Sequence, residues 1–306
     1  MGYFNTTHLN QALTNVSVRY NWGEGIADMV FPEVPVQKEA NSYFVYDADN
    51  LRMDETLRAN RTEANTTGFD LSTSSYRLEE HALKELVSDR DRMNADAPLS
   101  LDIDATMHLT EKILVRREFE TALLCFTTTT WGQNATVGSA TAWNTSVSNP
   151  ISDILTATSA VLLNGFIKPN RAVVGWQPFA LLKINSVTTD RIKYTSRDSI
   201  TPEIMAGLWE LETVLVGMSA RNSNAEGVAA SSSFLWGKDC LVYYAAGAPS
   251  LRSPSAGYML TINGRFRTKK WREEKLDGDY IETSSMFLPV AVATNAAYLL
   301  KRVDHS

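Results

Sequence analysis

Two strand-like stretches of this chain bracket a segment that cannot bury itself, and that arrangement limits the folds open to it. Ser42 to Asp47 (Ser-Tyr-Phe-Val-Tyr-Asp) is aromatic and β-branched, and Phe69 to Tyr76 alternates Phe69, Leu71, Thr73 and Ser75. Both read as strands. Between them, Leu51 to Gly68 carries Arg52, Asp54, Glu55, Arg58, Arg61 and Glu63 and almost no apolar residue. A two-stranded ribbon is marginal in water by itself, and this one is too polar to form a core of its own. It is expected to project from the body with few contacts to its own chain and to gain order on a partner. The chain has a net charge of -6, so Arg52, Arg58 and Arg61 are expected to meet carboxylates of a neighbouring subunit.

The preceding segment, Ile26 to Val36, contains Pro32 and Pro35. Each forces extended backbone nearby, so a helix cannot persist through it. It reads as an extended arm lying on its own body or on a neighbour. After the ribbon, residues 80 to 94 are predicted helical, with Leu83, Leu86 and Val87 on one side. Pro98 to Phe126 is predicted as a long helix, capped by Ser100 or Asp102. The spacing puts Ile103, Met107, Leu114 and Cys125 on one face. Val115, Phe119, Ala122 and Phe126 make a second face in the C-terminal half. Such a helix is the spine of a domain. Thr127 to Asn149 is rich in Thr, Ser, Asn and Gly and reads as a loop held by Trp131 and Trp143.

From Ile151 helices and strands alternate. Ile154, Ala157, Val161 and Leu162 mark a helix, and Ala172 to Gly175 a short buried strand. Pro178 opens a second helix. Thr201-Pro202-Glu203 starts a third, with Ile204, Leu208 and Leu211 as its stripe. Strands are predicted at Val214 to Met218, Phe234 to Trp236 and Leu241 to Tyr244, making residues 151–254 an α/β domain. Asn222 to Ser233 has no large side chain and is expected to be a mobile loop. From Ser255 the chain reads as β, with Tyr258, Leu260 and Ile262 alternating and Asp277-Gly278 as a hairpin turn.

Length and composition narrow the function. With 306 residues and 44% hydrophobic content, the chain can bury a core and fill two domains. The acidic balance argues against one broad basic face for duplex DNA. Arg265, Arg267, Lys269, Lys270 and Arg272 alternate with Phe266 and Trp271. They read as a strand edge, or as a strand meeting an acidic neighbour, in preference to a nucleic-acid strip. Cys125 and Cys240 sit in apolar neighbourhoods with no metal spacing and read as buried free thiols in a reducing compartment. The N-terminus has no secretory pattern, so the Asn-x-Ser/Thr triplets at Asn5, Asn15, Asn60, Asn65, Asn134 and Asn144 carry no glycan expectation. No run is long enough to span a membrane. HExxH, GxxxxGK[ST], GxSxG and GxGxxG are all absent. His108 with Glu111 reads as a helix-surface pair, and Glu79-Glu80 and Glu210/Glu212 as surface charge. No catalytic, metal or cofactor-binding residue is assigned, and the chain reads as a structural subunit, not an enzyme.

The order of parts now carries a resemblance. The Phe31-Pro32-Glu33-Val34-Pro35-Val36 arm is followed by a polar ribbon, a long helix, an inserted α/β domain with its Ala172-Val173-Val174 strand, and returning strands. Over essentially its whole length the chain resembles the major capsid proteins of tailed bacteriophages with the HK97-type fold, an α+β architecture. The resemblance implies an N-terminal arm (1–42), an extended loop (43–78), a peripheral domain (79–150 and 255–306) and an axial domain (151–254). It implies self-assembly into hexamers and pentamers of an icosahedral shell enclosing double-stranded DNA by non-specific contact. Scaffolding, portal and decoration proteins would be partners, no membrane would be involved, and assembly would take place in the host cytoplasm to form the virion. Inter-subunit contacts are expected at Phe31 and Pro32 of the arm, at Arg52, Glu55, Arg58 and Arg61 of the loop, and at Gly227, where copies would crowd around a symmetry axis. Some members of this family weld the shell through a loop lysine. This loop has none between Tyr43 and His81, so no crosslink is expected. An encapsulin-like compartment of the same fold is the alternative. A surface- or sugar-binding module, suggested by seven Trp and eleven Tyr, is an alternative of another class; most of these aromatics are expected to be buried.

Overall fold

The computed structural model describes residues 25–46, 53–68, 71–95, 99–193, 199–224, 231–248 and 255–304. Two sheets organise it, and the long helix Leu101–Phe126 joins them. The first sheet has four strands in the order Glu33–Pro35, Gly257–Glu273, Gly278–Ala291 and Glu79–Ser88. The second has five, in the order Asn134–Thr136, Ala297–Lys301, Cys240–Tyr243, Arg171–Gly175 and Thr213–Gly217. The expected divisions at 150/151 and 254/255 therefore cut through this second sheet, which takes a strand from beyond each of them. Helices and sheets are both present throughout, as an α+β fold requires.

Alternation along the strands of the second sheet gives it two buried faces. Ala172, Val174, Val214, Val216, Cys240 and Val242 turn one way. They pack with Ile154, Phe179, Leu182, Met205 and Trp209 of the helical side. Val173, Leu215, Leu241, Tyr243 and Leu299 turn the other way, onto Ala122 and Cys125 of the long helix and Val30 and Phe31 of the arm. Trp131 and Trp143 are buried as expected, and so are both cysteines. Burial pushes both thiols up, well out of the range where they would ionise.

The first sheet corrects the prediction of a helix over 80 to 94. Glu79–Ser88 is a ten-residue strand, paired antiparallel along Gly278 to Phe287. Only Asp89–Asn94 is helical, with the Ser88 hydroxyl accepting from the Asp91 amide at 3.1 Å. Ala, Leu, Lys and Glu favour helix intrinsically, but a continuous ladder on a neighbouring strand overrides that preference. Val87 then packs with Ala105, Leu109 and Ile281. The long helix differs from expectation in which face it buries. Ala105, Leu109, Ile113, Arg117 and Thr121 recur every four residues and lie inward. Ile103 and Met107 are 59% and 57% exposed, because they stand two residues away from that stripe, roughly 200° around the helix. Ser100 occupies the cap position without a side-chain bond. Val115, Phe119, Ala122 and Phe126 do pack on the second cluster.

Phe234 was expected to continue as strand through Trp236. Instead Ala220–Asn222 and Ser232–Phe234 form a small antiparallel hairpin, and Leu235 and Trp236 bend back into the core. Residues 225–230, Gly227 among them, lie outside the described residues. Trp236 lies flat on Gly217, where an added Cβ would collide with the indole Cγ. Gly217→Ala should therefore destabilise the chain by about 1–3 kcal/mol through overpacking; a lowered urea midpoint with unchanged slope is the expected result.

Candidate functional site

The ribbon is built as its sequence suggests. Ala40–Tyr46 pairs antiparallel with Leu71–Arg77, from Ala40 opposite Arg77 to Tyr46 opposite Leu71. Tyr43 and Tyr76 place their rings 6.5 Å apart across the pair. Every residue from 53 to 68 is exposed. Met53 is 97% exposed and Leu57 85%. The tip is held by its own polar groups: Asn65 Nδ2 donates to the Glu55 carbonyl at 2.8 Å, and Thr67 Oγ1 to Asp54 Oδ2 at 2.6 Å. Arg61 turns the chain with φ 64°. The Glu55 carboxylate accepts from the Leu57 amide at 3.0 Å, so part of it is used within the loop. Arg58 donates to the Thr62 carbonyl, and among the described residues neither Arg58 nor Arg61 has a carboxylate partner. Arg52 lies outside the described residues. The ribbon joins the body at Leu78, which is buried and donates its amide to the Glu39 carbonyl at 2.8 Å.

A second exposed apolar surface lies on the long helix. Ile103 and Met107 stand four residues apart on its open side, and Leu99, just before the Ser100 cap, is exposed as well, with Asp104 and Glu111 beside them. His108 does not pair with Glu111; its Nδ1 is 3.3 Å from Glu85 Oε2 on the adjacent strand.

The arm corrects the site expectation for Phe31. Its ring is wholly buried in its own chain, edge-on to Tyr243 at 5.7 Å, and has no surface for a neighbour. Pro32 is half-buried, and its carbonyl accepts from the Met259 amide at 3.0 Å. Tyr243 Oη donates to the Val30 carbonyl at 2.8 Å and Arg171 Nη1 to the Met29 carbonyl at 2.7 Å. Glu33–Pro35 runs parallel to Met259–Thr261. The segment from Ile26 to Val36 is thus stitched onto its own body.

Sequence reasoning missed the residues that hold the arm's origin. Glu118 is 2% exposed although it stands among the charged residues Arg116, Arg117 and Glu120. Its Oε1 accepts from the Ile26 amide (2.9 Å), Ser219 Oγ (3.2 Å) and Trp236 Nε1 (2.6 Å), and its Oε2 from the Ala27 amide (2.8 Å). Arg117, 1% exposed, places Nη2 2.8 Å from Asp28 Oδ1 and lies over the Phe287 ring. Burial pulls its guanidinium below the ordinary arginine value, while Glu33 and Glu118 oppose that pull.

Three of the alternating cations of Gly257–Glu273, Lys269, Lys270 and Arg272, meet acidic neighbours on their own chain, as one of the two readings had it. Lys270 Nζ is 2.6 Å from Asp102 Oδ2 and 3.3 Å from Asp279 Oδ2; Arg272 Nη1 is 2.7 Å from Asp89 Oδ2. Arg92 joins the same carboxylates. The Lys270 bond, helped by Arg92 and opposed by burial, holds the Asp102 carboxyl below its usual value. A depressed folded pKa means that the stabilisation is complete above the unfolded value of about 3.9 and is lost as pH falls through the lower folded one. Asp102→Asn should therefore cost less than about 1 kcal/mol at neutral pH, the side chain being over a third exposed. Thermal melts should show the difference closing below about pH 4. Among the described residues there is no group of three or more His, Cys, Asp or Glu placed to hold a metal, and no helix long and apolar enough to cross a membrane. Glu79 and Glu80 are exposed, Glu210 meets Lys168, and Glu212 accepts from Asn170.

A sheet-braced spine helix, a projecting ribbon and an inserted α/β body define the fold class, and solved structures share it. A phage-related protein from Bordetella bronchiseptica superposes with a TM-score of 0.75 at 21% identity, over 99% of both chains. The capsid protein of cyanophage P-SCSP1u gives 0.61 at 8%, over 89% of this chain and 86% of that one. The encapsulin of Synechococcus elongatus gives 0.53 at 12%, over 99% and 93%. The fold is that of the HK97-type capsid proteins. By sequence, the chain is 28% identical over 77% of its length to the major capsid protein of Pseudomonas phage JBD67, covering 77% of that protein. It is 25% identical over 97% of both chains to the major capsid protein of Burkholderia phage BcepMu. No family model matches the sequence. The chain is a relative of the major capsid proteins of tailed phages.

Proposed function

We propose that this protein is the major capsid protein of a tailed phage, assembling as hexamers and pentamers into an icosahedral shell around double-stranded DNA. The observation that carries the reading is the ribbon: sixteen consecutive exposed residues, 53–68, held in shape yet covered by nothing in their own chain. Exposed Met53 and Leu57 with uncompensated Arg58 and Arg61 match a surface elsewhere on the same molecule. That surface is the Leu99, Ile103 and Met107 stripe flanked by Asp104 and Glu111, and the proposed contact sets the ribbon of one copy on the long helix of the next. Non-specific contact with packaged DNA, scaffolding, portal and decoration partners, assembly in the host cytoplasm and a purely structural, non-enzymatic role belong to the same proposal. So do the segment boundaries 1–42, 43–78, 79–150, 151–254 and 255–306 as arm, loop, peripheral and axial parts.

Negative-stain microscopy of the purified chain should show closed, uniform shells; only monomers or irregular aggregates under all assembly conditions would refute the reading. Boiled in detergent, the shells should run as monomer, since the loop offers no lysine. The encapsulin-like alternative is kept because an encapsulin shares the fold; shells from infected or producing cells should contain DNA and not a cargo enzyme. A surface- or sugar-binding module is disfavoured by burial of Trp131, Trp143, Trp209 and Trp236, which leaves no exposed platform of stacking rings at those positions.

A further inference from the structure

We propose that Glu118 is a joint that makes docking of the arm and closure of the axial hairpin conditional on each other. Three separate elements converge on this one carboxylate. The arm supplies the amides of Ile26 and Ala27. The hairpin root supplies Ser219 Oγ on one side and Trp236 Nε1 on the other, and Leu235 closes that root by donating to the Ser219 carbonyl at 2.9 Å. The long helix supplies the carboxylate. The neighbouring residue reinforces the arrangement, since the Arg221 guanidinium lies over the Phe119 ring at 4.4 Å.

The coupling follows from burial. An ionised carboxylate out of water is tolerated only while its lone pairs are matched by donors. Here the arm and the hairpin each supply two of the four. If the hairpin root opens, Oε1 keeps one donor of three, and the carboxylate gains by turning toward water. That movement lengthens and weakens the bonds from the Ile26 and Ala27 amides. If the arm leaves, the same imbalance acts on Ser219 and Trp236, as reciprocity of coupled equilibria requires. The carboxylate is the hydrogen-bonded link between the two segments, set beside the apolar cluster that Ile26, Leu235 and Trp236 share. In an assembling shell, a neighbour that captured the arm would thereby loosen the hairpin, and that consequence alone rests on the capsid reading.

The coupling belongs to the single chain, so hydrogen exchange on the full-length, unassembled protein tests it. Trp236→Phe and Ser219→Ala each remove a hairpin donor and leave the arm's sequence intact. Exchange of the Ile26 and Ala27 amides should accelerate at least tenfold in both variants, while amides from Leu109 to Ile113 in the helix change less than twofold. If Trp236→Phe loosens the whole fold, the smaller Ser219→Ala change decides. Arm amides within twofold of the parent protein, with or without faster exchange in the hairpin, would overturn the joint and leave two independent attachments. Failure of the chain to form shells would bear on the proposed function and leave this result untouched.

Discussion

Replacing Glu118 with glutamine should destabilise the fold by about 2–4 kcal/mol, with shape and size unchanged. Four donors point at two carboxylate oxygens. An amide keeps one oxygen and presents its NH2 to whatever remains. If the oxygen takes the Oε1 position, the Ala27 amide faces another donor; if it takes Oε2, three donors do. A buried donor left unmatched costs about 1–3 kcal/mol, and bonds to a charged acceptor are worth more than neutral ones. Arg117 also loses a nearby opposing charge while remaining buried. Glu120→Gln, two residues away, is the control. Glu120 is half-buried and pairs with Arg116 and His81, and its replacement should cost less than that of Glu118. Urea denaturation of both variants decides the matter. A Glu118→Gln midpoint no lower than that of Glu120→Gln would mean that the buried carboxylate contributes nothing.

That contrast shows where the sequence is readable and where it is not. Arg116-Arg117-Glu118-Phe119-Glu120 is a charged stretch on a long helix, and nothing local distinguishes the two inward residues from the two outward ones. Burial of Arg117 and Glu118 is decided by what other segments bring to them from far along the chain: the arm and Phe287 to Arg117, the arm and the hairpin root to Glu118. The same holds for Glu79 to Ser88, whose composition favours helix and whose partner strand lies about two hundred residues downstream. Ile103 and Met107 mislead in another way. They have helical spacing and apolar character, but they form the open side of the helix, and a monomer's burial alone would not put them there. Features that rest on local chemistry were legible: the extended strand Glu33–Pro35 beside its prolines, though not the short helix Ala27–Val30 before it, the Asp277-Gly278 turn, the buried strand at Ala172 to Gly175, and the polar ribbon. Phe31 was legible as part of a motif but misread in role, because an arm residue can face its own core as readily as a neighbour's.

Reversing the charge of Arg58 and Arg61 together should abolish shell formation and leave the monomer as stable as before. Both side chains lie on a fully exposed loop, and among the described residues no carboxylate of their own chain pairs with them. Their replacement by glutamate therefore removes no ion pair from the folded subunit; Arg58 gives up only its surface bond to the Thr62 carbonyl, and stability should change by less than about 0.5 kcal/mol. In the proposed contact the same change sets two glutamates against Asp104 and Glu111. Each exposed pair is worth only about 0–1 kcal/mol, but reversal replaces attraction with repulsion, and a closed shell repeats the contact in every subunit. Like-charge juxtaposition across an interface costs several kcal/mol and is effective at excluding partners. The companion variant Asp104→Arg with Glu111→Arg should fail in the same way. Combining all four substitutions should restore shells, because the attraction is then rebuilt with its sign exchanged. Arg52, which lies outside the described residues, is left unchanged so that the effect belongs to the tip. Light scattering and negative-stain microscopy at low and high salt read the outcome. Normal shells from the Arg58 and Arg61 double variant would show that the ribbon docks by other means. Failure of the fourfold variant, with each double variant defective, would place the partner of those arginines somewhere other than the open side of the long helix.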